Sequence, residues 1–368
     1  MRNYLTSLLA MLTAARLVLA APPGRHPSIA PRAPAVPPTV SDYNNLRLYA
    51  QYAAAAYCNA NNGGSINPTP QITCAGALMV NGGQSDRSNC PLVESAGATR
   101  TVGFNLGWNL ISNTTNGFGT AGFVAVDNVN RLIVLSFRGT DPRSSQSLNT
   151  NVQALTNAQI PLPQNCPNCL GADGYLRAFR VVNNSTGLAR VDVIGTIQQL
   201  ASANRGYQVV VTGHSLGGAV GTFAALELRR LGIKVHFASF GMPRAVNPDL
   251  ANFISAFDVT SETNPAPINQ DPLERNFRVV HRGDGTPDLL PLQPFLSTKQ
   301  YRHLTPSFNI TSDNTVLAPA ITDVQISSRD GISQLTGVPY VPILNLPTDI
   351  NATAQAHRQY FGLISACF

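Results

Sequence analysis

The chain has 368 residues, of which 43% are hydrophobic and 12% are charged. A chain of this length and composition can bury a sizeable core, which excludes a protein that is disordered throughout. The formal net charge is +6, but the first 32 residues contain four arginines and no acidic residue. The remaining charge is small and forms no basic run, so the composition does not indicate a nucleic-acid-binding protein.

The N-terminal region predicts export. Residues 1–20 place Arg2 before an apolar run that ends in small residues, which is typical of a secretory signal peptide. Residues 21–40 are rich in proline and alanine and predict a propeptide or an extended leader. No later stretch is long enough to span a membrane. We therefore expect a secreted, extracellular protein in which residues 41–368 form a single domain.

The cysteines and the glycosylation motifs fit the same compartment. An even number of cysteines in an exported chain favours disulfides over free thiols, and sequence alone leaves their pairing open. Two of them form a close pair, but no second close pair completes a metal site, so we expect no metal. The cysteines are Cys58, Cys74, Cys90, Cys166, Cys169 and Cys367, and the candidate glycosylation sites are Asn113, Asn183, Asn184, Asn309 and Asn351.

Strand and helix patterns alternate along the chain. The runs "RLIVLSFRG" (131–139) and "YQVVVTG" (207–213) predict buried strands, and the stretch between them has helical spacing of its apolar residues. Then "AVGTFAALELRRLG" predicts a helix that ends at Gly232, "KVHFASFG" predicts a strand, and "NFRVVHRGD" predicts a strand that ends at an acid. This alternation predicts an α/β fold with a mostly parallel sheet.

A glycine-flanked serine lies between a predicted strand and a predicted helix. Residues 213–217 read Gly-His-Ser-Leu-Gly, which is the G-x-S-x-G elbow in its expected context. The turn presents the hydroxyl of Ser215 at the carboxyl edge of the sheet, and the amide of Leu216 can donate to a developing oxyanion. We therefore predict that Ser215 is a nucleophile.

A serine nucleophile needs a base and an acid, which in this fold follow it in the chain. Asp284 closes a strand pattern and is the preferred acid, with Asp288 in reserve. Outside the leader, the elbow and the strand patterns, the histidines that remain are His303 and His357. Spacing alone does not choose between these two histidines.

Five motifs in order resemble the filamentous-fungal class 3 lipases, a group that includes secreted triacylglycerol lipases and fungal feruloyl esterases. The likeness runs from about Tyr43 to Phe368. It implies an α/β-hydrolase fold with helices on both faces of the sheet and a short lid over the site. The motifs are "VLSFRGTD", "VVTGHSLGGA", "FGMPR", "FRVVHRGDGTPDLLP" and "AHRQYFGLISACF".

The resemblance also implies roles for particular residues. It selects His357 as the base, matches Ser215 to the nucleophile and Asp284 to the acid, and makes Thr140 the second oxyanion donor beside Leu216. No cofactor is implied. The implied disulfides are Cys58–Cys367, Cys74–Cys90 and Cys166–Cys169.

The segment after "FRGT" departs from the lipase pattern. It reads "DPRSSQSLNTNVQ", which is a poor lipid-docking helix, and the single tryptophan, Trp108, lies elsewhere. The preferred interpretation is a triacylglycerol lipase, which hydrolyses esters and works at a lipid–water interface. The alternatives are a feruloyl esterase acting on cell-wall polysaccharide and an inactive hydrolase fold that binds lipid or wall material. No nucleic acid or partner protein is implied, and a monomer is expected by analogy.

Overall fold

The computed structural model describes most of the chain from residue 36 onward. Predictions that concern the signal peptide, Trp108, Asn113 and the lid segment after Asp141 lie outside the described residues. The described ranges are 36–63, 70–74, 89–106, 119–141, 160–162, 166–184, 191–255, 273–288, 301–313, 315–327 and 350–367.

Helices and strands alternate through the middle of the chain, as the apolar patterns predict. The helices are α1 (Val40–Ala55), α2 (Pro91–Ser95), α3 (Asp173–Val182), α4 (Val193–Ala203), α5 (Leu216–Arg230), α6 (Pro248–Ser255) and α7 (Ile350–Arg358). The strands of the main sheet are β1 (Thr99–Asn105), β2 (Ala121–Asp127), β3 (Leu132–Phe137), β8 (Gln208–His214), β9 (Val235–Phe240), β10 (Arg275–His281), β11 (Ser307–Ile310) and β12 (Val324–Ser327). Two short hairpins pair β4 (Ile160–Pro161) with β5 (Leu170–Gly171), and β6 (Asn183–Asn184) with β7 (Val191–Asp192).

The eight strands of the main sheet lie in the order β1-β2-β3-β8-β9-β10-β11-β12. Neighbouring strands from β3 to β11 pair in parallel, whereas β1, β2 and β12 are joined to their neighbours by antiparallel pairing. Parallel strands place their carboxyl ends at one edge, where ligands bind in open α/β sheets. The predicted α/β-hydrolase class is therefore confirmed in its central sheet.

Both faces of the sheet are covered, which explains why its strands are apolar without alternation. On β3, Ile133 and Leu135 pack into the core that contains α3, α4 and α5. Their neighbours Leu132 and Val134 pack into the opposite core, which contains α1. Because successive side chains of a strand point to opposite faces, one short run supplies both cores.

Helix α5 ends where the sequence predicts. Gly232 has φ of +78°, its amide donates to Arg229 O, and the amide of Ile233 donates to Leu228 O. A left-handed glycine after the last helical turn satisfies the final carbonyls of the helix. The predicted helix end is confirmed.

The packed domain begins earlier than the predicted boundary at residue 41. The carbonyl of Val36 accepts a hydrogen bond of 2.8 Å from the amide of Ile326 on strand β12, and Thr39 caps helix α1 by accepting from Asp42 N. Residues 36–40 therefore belong to the folded domain, because they satisfy backbone groups of both a strand and a helix.

Three glycosylation candidates have described surroundings. Asn184 is exposed on the β6–β7 hairpin, where a glycan has room. Asn309 is buried on β11, and its side-chain amide donates to Gln325 O across the sheet. A glycan on Asn309 would break that bond and the packing around it, so the structure argues against this candidate. Asn183 is partly buried and its side chain accepts from Ile194 N.

The six cysteines form three disulfides with the pairing that the resemblance implies. Cys58 joins Cys367 over a sequence separation of 309, Cys74 joins Cys90 and Cys166 joins Cys169. The longest of these links ties the end of the α1 segment to the segment that follows α7. That link holds the part of the chain that carries His357 against the body of the domain.

We expect the double replacement Cys58→Ala, Cys367→Ala to reduce both stability and activity. The chain-entropy model gives a loss of about 5 to 6 kcal/mol as an upper figure for so long a loop. Urea unfolding measures the stability, and hydrolysis of a soluble ester measures the activity. The matched control is Cys74→Ala, Cys90→Ala, whose loop is far shorter and should cost about 3 kcal/mol. If both double variants lost the same share of activity, the long link would have no special role at the site.

Candidate active site

Ser215 lies in a strained turn between β8 and α5. Its φ is +55° and its ψ is −129°, a backbone conformation that L-residues rarely adopt. The flanking glycines make the turn feasible: a Cβ on Gly213 would overlap the backbone of Gly217, and a Cβ on Gly217 would overlap the carbonyl of Phe137. The turn therefore presents the serine side chain at the carboxyl edge of the sheet.

The structure brings Ser215, His357 and Asp284 into one line of hydrogen bonds. The distance from His357 Nε2 to Ser215 Oγ is 2.9 Å, and that from His357 Nδ1 to Asp284 Oδ2 is also 2.9 Å. The carboxylate accepts, so Nδ1 carries the proton and Nε2 can accept from the serine hydroxyl. The side chain of Asp284 is fully buried and that of His357 is 20% exposed. A serine, a base and an oriented acid in this geometry can perform nucleophilic catalysis.

The carboxylate of Asp284 has further donors besides His357. Tyr360 Oη donates to Oδ2 at 2.5 Å, and the backbone amide of Thr286 donates to Oδ1 at 2.8 Å. Burial and the neighbouring carboxylate raise the pKa of Tyr360 well above its usual value, so the phenol keeps its proton and stays a donor. These contacts hold the carboxylate in place for the imidazole.

Tyr360 was not identified by sequence reasoning. Its only signal is its position within "AHRQYFG", three residues after His357. A tyrosine in such a segment is equally consistent with core packing, and Tyr360 does pack edge-on against Phe240.

Gly241 lets the acid and the base approach the end of β9. Its φ is +59°, and a Cβ there would lie 2.7 Å from Asp284 Oδ2, 2.9 Å from Tyr360 Oη and 3.1 Å from His357 Nδ1. All three atoms belong to the hydrogen-bonded group that orients the base. Glycine is therefore required here for both backbone and space.

We expect Gly241→Ala to lower kcat by about 100-fold, because a misplacement of the base by about 1 Å has a cost of this size. The measurement is steady-state hydrolysis of a soluble p-nitrophenyl ester, with thermal unfolding alongside. Gly232→Ala is the matched control, since Gly232 also has positive φ but has open space around the Cβ position. The control should lose stability and keep its kcat. Equal activity in the two variants would contradict the role given to Gly241.

The predicted oxyanion donors belong to the start of α5 and to the loop that follows β3. Leu216 is the first residue of α5, whose first amides have no acceptor within the helix. The amides of Gly218 and Ala219 both donate to Ser215 O, so the first turn of the helix begins at the backbone of the serine. Thr140 is partly exposed and follows Gly139, where a Cβ would lie 2.9 Å from His214 O. The loop that carries Thr140 therefore packs against the elbow.

The reserve candidates lie in other surroundings. His303 is buried, and its Nε2 donates to the carbonyl of Pro287 at 2.8 Å. Burial, with the nearby arginines Arg278 and Arg244, holds the pKa of His303 well below its usual value. Asp288 forms an ion pair with Arg244 at 3.4 Å. These contacts give His303 and Asp288 structural roles near the site.

Metal-binding clusters and membrane-spanning helices are absent from the part of the chain that the structure describes. Within these residues, no cluster of three or more His, Cys, Asp or Glu side chains could hold a metal ion. In the same part of the chain, none of the helices has the length and apolar character needed to cross a membrane.

Comparison with known proteins places this site in a family. Residues 134–293 match the model of the family described as lipase (class 3). The chain is 30% identical to a secreted mono- and diacylglycerol lipase of Penicillium cyclopium over 333 residues, which cover 89% of this chain and 87% of the relative. It is 31% identical to a secreted mono- and diacylglycerol lipase of Fusarium solani, over 90% of this chain and 80% of that protein.

The fold comparison agrees. The crystal structure of a mono- and diacylglycerol lipase from Aspergillus oryzae superposes with a TM-score of 0.66 at 28% identity, covering 90% of this chain and all of that one (100%). The family match at residues 134–293 includes Ser215 and Asp284. The chain belongs to the class 3 lipase family.

Proposed function

We propose that this protein is a secreted lipase that hydrolyses the carboxylic esters of acylglycerols through an acyl-enzyme. The single observation that carries the proposal is the line of hydrogen bonds from Ser215 through His357 to Asp284, at 2.9 Å for each step. Family membership and the named relatives support the same reaction type. Ser215 is the nucleophile, His357 serves in turn as base and acid, and Asp284 orients His357.

Acylation begins when His357 Nε2 takes the proton of Ser215 as the serine oxygen attacks the ester carbonyl. The new C–O bond pushes the carbonyl electron pair onto oxygen, which accepts hydrogen bonds from the amides of Leu216 and Thr140. Asp284 stabilises the imidazolium that forms. When the tetrahedral intermediate collapses, the alcohol leaves with the proton from His357 and the acyl group stays on Ser215.

Deacylation repeats these steps with water. His357 removes a proton from the water as its oxygen attacks the acyl carbonyl, and the same amides stabilise the second oxyanion. Collapse breaks the bond to Ser215 and returns the proton from His357 to the serine. The fatty acid leaves and the free enzyme is restored. Every step uses side chains and amides of this chain.

The named relatives support acylglycerols as the substrate class. The Penicillium and Fusarium proteins carry the name mono- and diacylglycerol lipase, which does not favour the feruloyl esterase alternative. We keep triacylglycerol as the first substrate and add partial glycerides, because those names describe relatives at 30% and 31% identity.

Export is part of the proposal. The relatives are named as secreted proteins. We assign residues 1–20 to a signal peptide. The proline-rich residues that follow form a propeptide or an extended leader before the folded domain, which begins at Val36. Disulfides that join six cysteines fit an oxidising compartment.

The test is hydrolysis of tributyrin, dibutyrin, monobutyrin and methyl ferulate by the purified protein, with each glyceride followed across its solubility limit. We expect the glycerides to be cleaved faster than methyl ferulate. A tributyrin rate that rises once droplets form would support action at an interface, and a rate highest on monobutyrin or dibutyrin would move the assignment to partial glycerides. A dominant ferulate rate would overturn the lipase assignment.

A second measurement separates an enzyme from an inactive fold that only binds lipid. A p-nitrophenyl alkylphosphonate should release one nitrophenol per active site and leave its phosphoryl group on Ser215, where mass spectrometry of peptides locates it. An inactive binding protein would bind the lipid analogue without forming this bond.

A further inference from the structure

His214, the residue before the nucleophile, is buried between the base and a second aromatic residue. Its side chain is 2% exposed. His214 Nδ1 lies 2.5 Å from Tyr57 Oη, and His214 Nε2 lies 2.6 Å from the backbone carbonyl oxygen of His357. The rings of His214 and His357 have their centroids 4.5 Å apart. The imidazole of His214 therefore contacts both the backbone and the ring of His357.

The direction of each hydrogen bond follows from the chemistry of the groups. The carbonyl of His357 can only accept, so His214 Nε2 carries a proton. Burial, together with the neighbouring His357, holds the pKa of His214 well below its usual value, so the ring is neutral. Nδ1 is then an acceptor and the hydroxyl of Tyr57 donates to it. The two hydrogen bonds fix a single tautomer.

The bond to His357 is made where helix α7 ends. His357 is the penultimate residue of α7 (Ile350–Arg358), and the last carbonyls of a helix have no partner within it. His214 supplies that partner from the residue next to Ser215. The backbone of the base is thus attached directly to the turn that carries the nucleophile.

Tyr57 connects the same unit to the oxyanion loop. A Cβ on Gly139 would overlap the Tyr57 hydroxyl, so this hydroxyl lies directly against the backbone that leads into Thr140. Tyr57 is itself 2% exposed, and the next residue, Cys58, forms the disulfide to Cys367. The nucleophile turn, the base and the oxyanion loop therefore meet at Tyr57 and His214.

We infer that His214 and Tyr57 are positioning residues that act as one unit: Tyr57 orients His214, and His214 holds the backbone of His357 at the distance from which its ring reaches Ser215. Both ring nitrogens of His214 are engaged, by Tyr57 and by the carbonyl of His357, so we assign neither side chain a part in the proton transfer. This inference rests on the proposed function and explains how the base stays in register with a nucleophile 142 residues away in the chain.

The test uses kcat and KM on p-nitrophenyl butyrate below its solubility limit, where a lipid surface has no part. We expect Tyr57→Phe to lower kcat by about 10-fold and His214→Leu by about 100-fold, with KM within about twofold of the native value. His214→Gln keeps a donor and an acceptor on one side chain, so it should recover kcat to within about fivefold of native. A purely structural role would not give this rescue.

The double variant Tyr57→Phe, His214→Leu decides whether the two residues form one unit. A single unit predicts that the double variant loses no more activity than His214→Leu alone. Independent effects would multiply and give a loss of about 1000-fold. That multiplication would overturn the coupling between Tyr57 and His214.

Tyr49→Phe is the matched control. Tyr49 Oη lies 2.8 Å from His236 Nδ1, and both side chains are buried, but His236 is at the start of β9, away from the elbow. We expect Tyr49→Phe to lower the melting temperature about as much as Tyr57→Phe and to leave kcat unchanged. If both variants kept native kcat, or if both lost it equally with stability, the positioning role would be wrong. Failure of the native protein to cleave any ester would instead contradict the proposed function.

Discussion

Replacement of Ser215 by alanine is expected to abolish ester hydrolysis while the protein stays folded. Loss of the nucleophile of a serine triad lowers kcat by about 10⁶-fold, because acylation then has no route. Alanine keeps the Cβ of serine, so the unusual backbone at φ +55° is unchanged and the turn is not further strained. The lost hydroxyl is 2.9 Å from His357 Nε2, and its removal costs only that hydrogen bond.

The measurement is hydrolysis of p-nitrophenyl butyrate at high enzyme concentration, with thermal unfolding on the same preparation. The melting temperature should stay within a few degrees of native, and the phosphonate should no longer attach. A folded Ser215→Ala protein that kept more than about a thousandth of the native rate would place the chemistry elsewhere.

Asp284→Asn is expected to lower kcat by about 10⁴-fold with little change in KM. The amide is nearly the size of the carboxylate, but it can present an N–H to His357 Nδ1, which favours the imidazole tautomer that cannot accept from Ser215. The substitution also removes the negative charge that stabilises the imidazolium. Asp284 is fully buried, so water does not replace either effect.

Asp288→Asn provides the comparison. It is the same chemical change four residues along the same loop, at a carboxylate that pairs with Arg244 and whose side chain is 45% exposed. We expect its kcat to stay within about twofold of native, since Asp288 lies outside the hydrogen-bonded line from Ser215 to Asp284 and an asparagine oxygen can still accept from Arg244. If Asp288→Asn were the more damaging of the two, the acid would have been assigned to the wrong carboxylate. Steady-state kinetics on the two purified variants gives the answer.

The nucleophile turn could be predicted from sequence because its causes are local. A buried strand, two glycines around Ser215 and a helix pattern lie within about twenty residues, and the contact that requires Gly213, with the backbone of Gly217, is inside that stretch, whereas Gly217 makes room for the carbonyl of Phe137 on a neighbouring strand. The sheet was predictable for a similar reason, since apolar runs covered on both faces show no alternation. Family resemblance then added the fold class, which the comparisons confirm.

The rest of the site depends on contacts between distant parts of the chain. Spacing alone did not decide whether His303 or His357 is the base. The residues near each histidine do not indicate which segment will pack against the turn at Ser215. Tyr360 and Gly241 were not identified, since their importance lies in a packing arrangement with Asp284 that exists only after the sheet has formed. The packing of residues 36–40 against the domain was not predicted, because the pairing of Val36 with Ile326 joins distant parts of the chain.

The order of the site along the chain has a consequence for biosynthesis. A growing chain that has passed Ser215 by a hundred residues still has no base, because His357 follows 142 residues later, and the anchor at Cys367 comes later again. Within this proposed mechanism, a nascent chain cannot cleave ester bonds. Lipids that the growing chain meets are therefore protected until the segment that carries His357 has been made and has folded onto the turn at Ser215.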